Sequence, residues 1–512
     1  MCYWIDSLVV GSASNNALNQ PLISGLDDNN GHKDNVIYLN QANNFTSKTC
    51  NLKSISFGTA TTIATPPYSF EGCEQLVRVK LPRVVGGHIP AGLFASIPNS
   101  NIVFEVPSDA SGNNFVARDP GVLDLTYTGY TSIDAEAFKE TNLTKVIAPI
   151  TTDFTLEQDS FASCTSLTEF DFSNVTNSVV LNASFRGSTI PDSLFDFGSA
   201  AITFGAETFK GCTFTGTKTF SFPENTAIIG DYCFENCSTL ENVTADAALT
   251  HMQRVVVDNG EGQNNAGNNV GFKQIGDYAF NMCTNLKNFD FSKFTQLERI
   301  GHFAFGMKAP DNGKIDFTKA GASNDACICT DGIVELPETL TNIGVGAFHT
   351  SKVTKVTFKS HSIKFERAND YTSSTRLKID KNNGGSQFRF CYELTTVFFE
   401  DPDCAWTTPY LLKSENGQDN YFSKCTKLTA VFLPTGYDIQ YERYTAASNN
   451  QNGPRPDSMV WESNSSVKFY VYHTVNDLRD DKPAINVFCT ELLSRRISVR
   501  SRHLLYKGSR LS

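Results

Sequence analysis

Nowhere in the 512 residues do eighteen apolar side chains run together, so the sequence offers no membrane-spanning helix. Charged residues make up only 19%, too few for a coiled coil or a disordered acidic chain. Basic residues number 43 against 54 acidic ones, and the resulting net charge of -11 is mild for this length. It argues against nucleic acid as a partner, because holding phosphates takes clustered Lys and Arg. One cluster does exist, Arg495, Arg496, Arg500, Arg502, Lys507 and Arg510, with no acid between Ser494 and Ser512. It suits anionic lipid or nucleic acid, but a solvated, poorly ordered terminus is the expected reading.

Catalytic signatures are missing as well. No nucleophile elbow, phosphate-cradling glycine loop or metalloprotease helix motif occurs, and the eight histidines are scattered. Cys233/Cys237 and Cys327/Cys329 are the close cysteine pairs, and neither precedes a second Cys or His pair at zinc spacing. The expectation is therefore no metal, no cofactor and no enzymatic activity. The opening MCYWIDSLVVGSAS has the look of an export signal, yet Asp6 interrupts its apolar stretch and no Lys or Arg precedes it.

What the chain has is a repeated phrase: an aromatic, a cysteine three residues on, and an aliphatic three further. It reads Phe70/Cys73/Leu76, Phe161/Cys164/Leu167, Phe234/Cys237/Leu240, Phe280/Cys283/Leu286, Phe388/Cys391/Leu394 and Phe422/Cys425/Leu428. Phe161, Phe185, Phe209 and Phe234 are separated by 24, 24 and 25 residues, and Phe280 to Phe305 is again 25. A period of this size belongs to stacked-repeat proteins, which lengthen by adding coils and bury apolar side chains only between neighbours.

The fullest unit, GIVELPETLTNIGVGAFHTSKVTKVTF, runs from Gly332 to Phe358. An alternating strand ends at Leu336-Pro337, Ile343-Gly344 and Ala347-Phe348 follow, and the next strand alternates through Val353, Val356 and Phe358. Glycine after isoleucine permits a tight bend or a close approach of neighbouring coils. The spacing predicts an internal ladder of Phe70, Phe161, Phe209, Phe234, Phe280, Phe305, Phe348, Phe388 and Phe422. Beside it run Cys73, Cys164, Cys237, Cys283, Cys391 and Cys425, read as small buried thiols that contact nearby carbonyls without forming bridges.

The organisation expected is a segment or cap over 1–44, repeats with polar loop insertions over 45–435, a loop plus closing coil or cap over 436–490, and a basic tail over 491–512. Excess length falls in polar stretches around 308–331, 366–387, 401–420 and 438–466, which read as loops extruded from single coils.

The segments LPETLTNIGVGAF and IGDYAFNMCTNLKNFDF resemble the BspA-like leucine-rich repeat, also called the Treponema pallidum type. The resemblance covers roughly residues 45–435 and is strongest from 130 onward. It implies an α/β or mainly β leucine-rich-repeat solenoid, a horseshoe or an extended right-handed superhelix. One short strand is expected in each coil of about 23–25 residues. It also implies surface or secreted adhesins.

Function is then expected where the repeat varies. Residues between buried strand positions point outward and form the ladder Arg78/Lys80, Lys145/Ile147, Glu169/Asp171, Asn242/Thr244, Asn288/Asp290, Lys355/Thr357, Thr396/Phe398 and Ala430/Phe432. Arg78, Lys80, Lys145, Glu169, Asp171, Asp290, Lys355, Phe398 and Phe432 are the candidate ligand contacts, with the two aromatics as anchors. Two readings follow, a binding or adhesion protein for a protein or glycan ligand, and a cytoplasmic scaffold whose reduced cysteines are natural.

Overall fold

The computed structural model describes residues 7–9, 53–57, 63, 67–256, 271–306, 332–366, 387–401, 421–422, 425–434, 468–472 and 488–490. Most of the expected terminal segments 1–44 and 436–490, the basic tail and nearly all of the four polar insertions lie outside the described residues.

The chain winds as a β-solenoid of about 11 coils. The strand expected after each Cys-x-x-Leu is present, and its alternating burial sets Val79, Val146, Phe170, Val243, Val356 and Val397 inward. These front strands form four sheets. The first contains Ser54–Ser56, Arg78–Lys80 and Val103–Pro107, and the second contains Val122–Asp124, Lys145–Ile147, Glu169–Asp171 and Phe195–Asp196. The third contains Thr219–Phe222, Asn242–Ala245 and Asn288–Phe289. The fourth runs from Ile333–Leu336 through Lys355–Phe358, Thr396–Phe399 and Ala430–Pro434 to Lys468–Tyr472 and Phe488–Thr490.

A further short strand completes most coils. It ends at the isoleucine of Ile-Gly or its equivalent, and ten such strands from Gly87–Ile89 to Lys364–Phe365 make one continuous back sheet. Apart from two short antiparallel pairings at Phe115–Ala117 and Val255–Val256 and one at Phe488–Thr490, neighbouring strands are parallel. Helix among the described residues is a single 3-10 turn, Phe291–Lys293.

Between back strand and front strand the chain turns a corner around the ladder phenylalanine. Backbone in the left-handed region flanks that residue on both sides, as at Glu136 and Glu140 around Phe138 and at Asp159 and Ser163 around Phe161. Non-glycine residues held there cost about 1 kcal/mol or more each. The offset is inter-coil bonding: each ladder N–H donates to the next coil, Phe161 to Ser184 O at 2.9 Å, Phe234 to Ala279 O at 2.7 Å and Phe280 to Ala304 O at 2.8 Å.

The rings stack as the spacing predicts. Phe138, Phe161, Phe185, Phe209, Phe234, Phe280, Phe305, Phe348, Phe388 and Phe422 follow one another with centroids 4.9 to 5.9 Å apart. Phe70 joins through Phe94. Glycine after isoleucine answers to close approach, since a Cβ on Gly301 would sit 2.6 Å from the Gly276 carbonyl carbon, and one on Gly344 2.5 Å from that of Gly301.

The cysteines bond between coils. Each thiol donates to the carbonyl of the preceding ladder phenylalanine: Cys164 to Phe138 at 3.3 Å, Cys212 to Phe185 at 2.8 Å, Cys237 to Phe209 at 2.9 Å, and Cys283, Cys391 and Cys425 alike at 3.1 Å. Ser188 stands at the same place in its coil and does the same to Phe161 at 2.7 Å, so the position selects a small donor.

Burial pushes the Cys164 thiol up to about 11 and Cys212 to about 12, against an ordinary 9.0. A thiol raised on folding contributes stability that is intact below pH 9 and lost as pH climbs through 11 to 12. The urea midpoint is therefore expected to fall above pH 9. At pH 8, iodoacetamide should leave the native ladder thiols unmodified and label them all in urea. Prompt labelling of native Cys164 or Cys212 would contradict this packing.

Candidate ligand-binding face

In a parallel, in-register sheet, equivalent side chains of successive coils stand side by side. The outward residues of the front strands therefore form columns, and their fates differ along the solenoid. Arg78 is paired with Glu105 one strand along. Lys80 lies over the ring of Phe115, 4.0 Å from its centroid. Lys145 and Glu169 occupy register-matched positions and pair at 2.5 Å. These three cations are met by the protein's own carboxylates or rings.

The acidic candidates serve local turns. Asp171 accepts from the Ser173 N–H at 2.8 Å, and Asp290 caps the short 3-10 turn by accepting from Ser292 N–H at 3.1 Å. Asp124 and Asp196 repeat the arrangement with Thr126 and Gly198. An Asp-x-Ser/Thr/Gly ending is thus the stop signal of a front strand.

The fourth sheet is different. In-register pairing aligns Glu335, Thr357, Phe398 and Phe432 across four strands, with Lys355 diagonal to Phe398. Phe398 and Phe432 stack with centroids 4.3 Å apart and planes 7° from parallel. Lys355 Nζ sits 4.2 Å from the Phe398 centroid on the stack. Both phenylalanines are half-exposed, whereas Thr357 is only 4% exposed and so departs from the outward pattern. The structure brings Lys355, Phe398 and Phe432 together, pairs Lys145 with Glu169, and spreads the other candidates over the three earlier sheets.

Two depressions mark the last two of the three breaks between front sheets. The first, about 340 Å³, lies between Phe195–Asp196 and Thr219–Phe222 and is lined by Asp192, Asp196, Phe220 and Asp246. Those strands do not pair because the Asp192 carboxylate takes the N–H groups of Thr217 at 2.6 Å and Thr219 at 3.3 Å. The second, about 520 Å³, lies beside the 3-10 turn, with Phe289, Phe291, Ile333, Glu335 and Lys359 on its walls. Neither was visible in the sequence, since a broken ladder leaves the 24-residue period intact. No cluster of metal-ligating side chains is found among the described residues.

Against known proteins, a family model described as the BspA type leucine-rich repeat region matches in six copies, over residues 38–114, 124–215, 202–319 and 327–405. No curated protein sequence matches the chain. Among solved structures it is similar to a leucine-rich repeat protein from Bacteroides ovatus ATCC 8483, at 14% identity and TM-score 0.27, covering 83% of this chain and 88% of that one. It is also similar to the pneumococcal vaccine antigen PcpA, at 12% identity and TM-score 0.30, covering 82% and 74%. A leucine-rich cell surface protein from Faecalibacterium prausnitzii A2-165 matches at 14% identity and TM-score 0.20, covering 76% and 78%. Scores this low say nothing about a ligand.

Proposed function

The chain belongs to the BspA-type leucine-rich repeat family, and on that footing we propose that it is a non-enzymatic binding or adhesion protein. Its ligand, a protein or a glycan, docks on the front-strand face of the fourth sheet. The observation that carries this reading is the Lys355–Phe398–Phe432 cluster, a pre-stacked, half-exposed aromatic pair with a cation diagonal to it on the front-strand face. Aromatic anchors on rigid elements are what interfaces use as hot spots, because large area is buried at little conformational cost.

The test is capture from protein and glycan arrays by the wild-type chain and by Phe398→Ser and Phe432→Ser variants. At least one ligand is expected whose capture falls about thirtyfold in each variant, the effect of losing an anchor worth about 2 kcal/mol. If both variants capture everything the wild type does, this face is not the binding site.

A further inference from the structure

We propose that the Lys355–Phe398–Phe432 cluster recognises carboxylates, so that its partner is an acidic protein segment; this rests on the binding reading above and narrows it. A saccharide binds aromatic residues by laying its C–H face on an open ring face. No such face is open on Phe398, because Lys355 Nζ covers one side at 4.2 Å and the Phe432 ring the other at 4.3 Å.

What the stack offers to solvent is ring edges. The edge carries the positive end of the aromatic quadrupole, and both electron-rich faces of Phe398 are already occupied. Charge points the same way. Arg78 and Lys145 are paired with Glu105 and Glu169, whereas the contact recorded for the Lys355 ammonium among the described residues is the Phe398 ring, not a carboxylate. Glu335, the carboxylate aligned in register with the two phenylalanines, is held by Lys359 at 2.6 Å. Positive ring edges beside a cation that meets no carboxylate among the described residues complement an Asp or Glu side chain, with the apolar rings shielding the pair from water.

Fluorescence anisotropy of the full chain with labelled hexaglutamate, hexalysine and an N-acetylglucosamine hexasaccharide tests this. Hexaglutamate is expected to bind, more weakly at high salt, and the other two are not. Lys355→Gln and Phe398→Leu should each weaken hexaglutamate about tenfold or more with the thermal unfolding temperature unchanged. If Phe398→Leu fails to fold, Lys355→Gln still decides, because it alters only a half-exposed head group. The proposal is overturned if hexaglutamate binds no tighter than hexalysine, if the hexasaccharide binds tighter than either, or if Lys355→Gln leaves hexaglutamate affinity intact. An array ligand lost in Phe398→Ser that proves neutral, basic or saccharide overturns this inference alone. Capture untouched by either serine variant overturns the binding reading with it.

Discussion

Phe280→Ala is expected to lower the unfolding free energy by about 3–5 kcal/mol, the range seen when a large aromatic is removed from a packed core. Phe280 is 1% exposed and sits face to face with Phe234 at 4.9 Å and with Phe305 at 5.4 Å, while Phe289 meets it edge-on at 5.2 Å. Removing the ring opens a void between two coils, and the void cannot close. The backbone on either side is fixed by Phe234 N–H to Ala279 O and Phe280 N–H to Ala304 O, so the coils cannot approach. The cost should therefore sit in the upper part of the range, with Phe280→Leu much milder, at less than about 1.5 kcal/mol. Because a solenoid is held together by nearest-neighbour interfaces, weakening one interface should also split the urea transition, seen as a lower apparent m-value. An unchanged midpoint for Phe280→Ala would mean the ladder is not the core.

That ladder was legible because its signal is long-range and redundant: the same residue type returns at a fixed interval many times over. The cysteines were legible for the same reason as buried thiols near a carbonyl, but which carbonyl, that of the preceding ladder phenylalanine, came only with the structure. The back strands were harder to see. Gln274–Ile275 and Arg299–Ile300 are two residues long, and a period-two pattern needs more than one alternation to register. The candidate face was legible only as a list of outward positions. Whether an outward lysine is free for a ligand depends on its neighbour one coil away. For Arg78 that neighbour, Glu105, is 27 residues on, and for Lys355 it is a ring 43 residues on. The first offset is the register step of 25 plus a two-residue diagonal, and the second is lengthened by the insertion around 366–387, so no fixed spacing reveals both.

Arg299 marks the limit of such reading, and it yields the other large effect. Its place in Glu-Arg-Ile-Gly, on the outward side of a back strand, suggests a solvated charge, yet it is fully buried. Its guanidinium makes a two-pronged pair with Glu366, Nε to Oε1 at 2.9 Å and Nη2 to Oε2 at 3.0 Å, across a separation of 67 residues. Nη1 reaches Gln274 at 2.9 Å and Asp277 at 3.0 Å. Asn342, from the coil between, donates to Glu366 at 3.0 Å, so the pair brackets three successive coils of the back sheet.

Removing one partner leaves an uncompensated buried charge, for which about 3–5 kcal/mol is the usual penalty. Glu366→Leu should fall at the lower end, because Asp277 still gives the guanidinium a counter-charge, and Arg299→Met at the upper end, because the buried Glu366 carboxylate then keeps the Asn342 amide but loses its guanidinium. The double variant Arg299→Met/Glu366→Leu should recover most of either loss, since it removes both desolvation costs together. Urea denaturation of the four proteins measures this. A double variant as unstable as the two single losses added would show that the side chains do not act as a pair. Glu366 ends the coil whose front strand carries Lys355, so the bracket holds that coil in register with the one before it. A stable double variant that keeps its ligand would then show that the buried pair fixes where the coil lies, and that apolar packing can do so equally well.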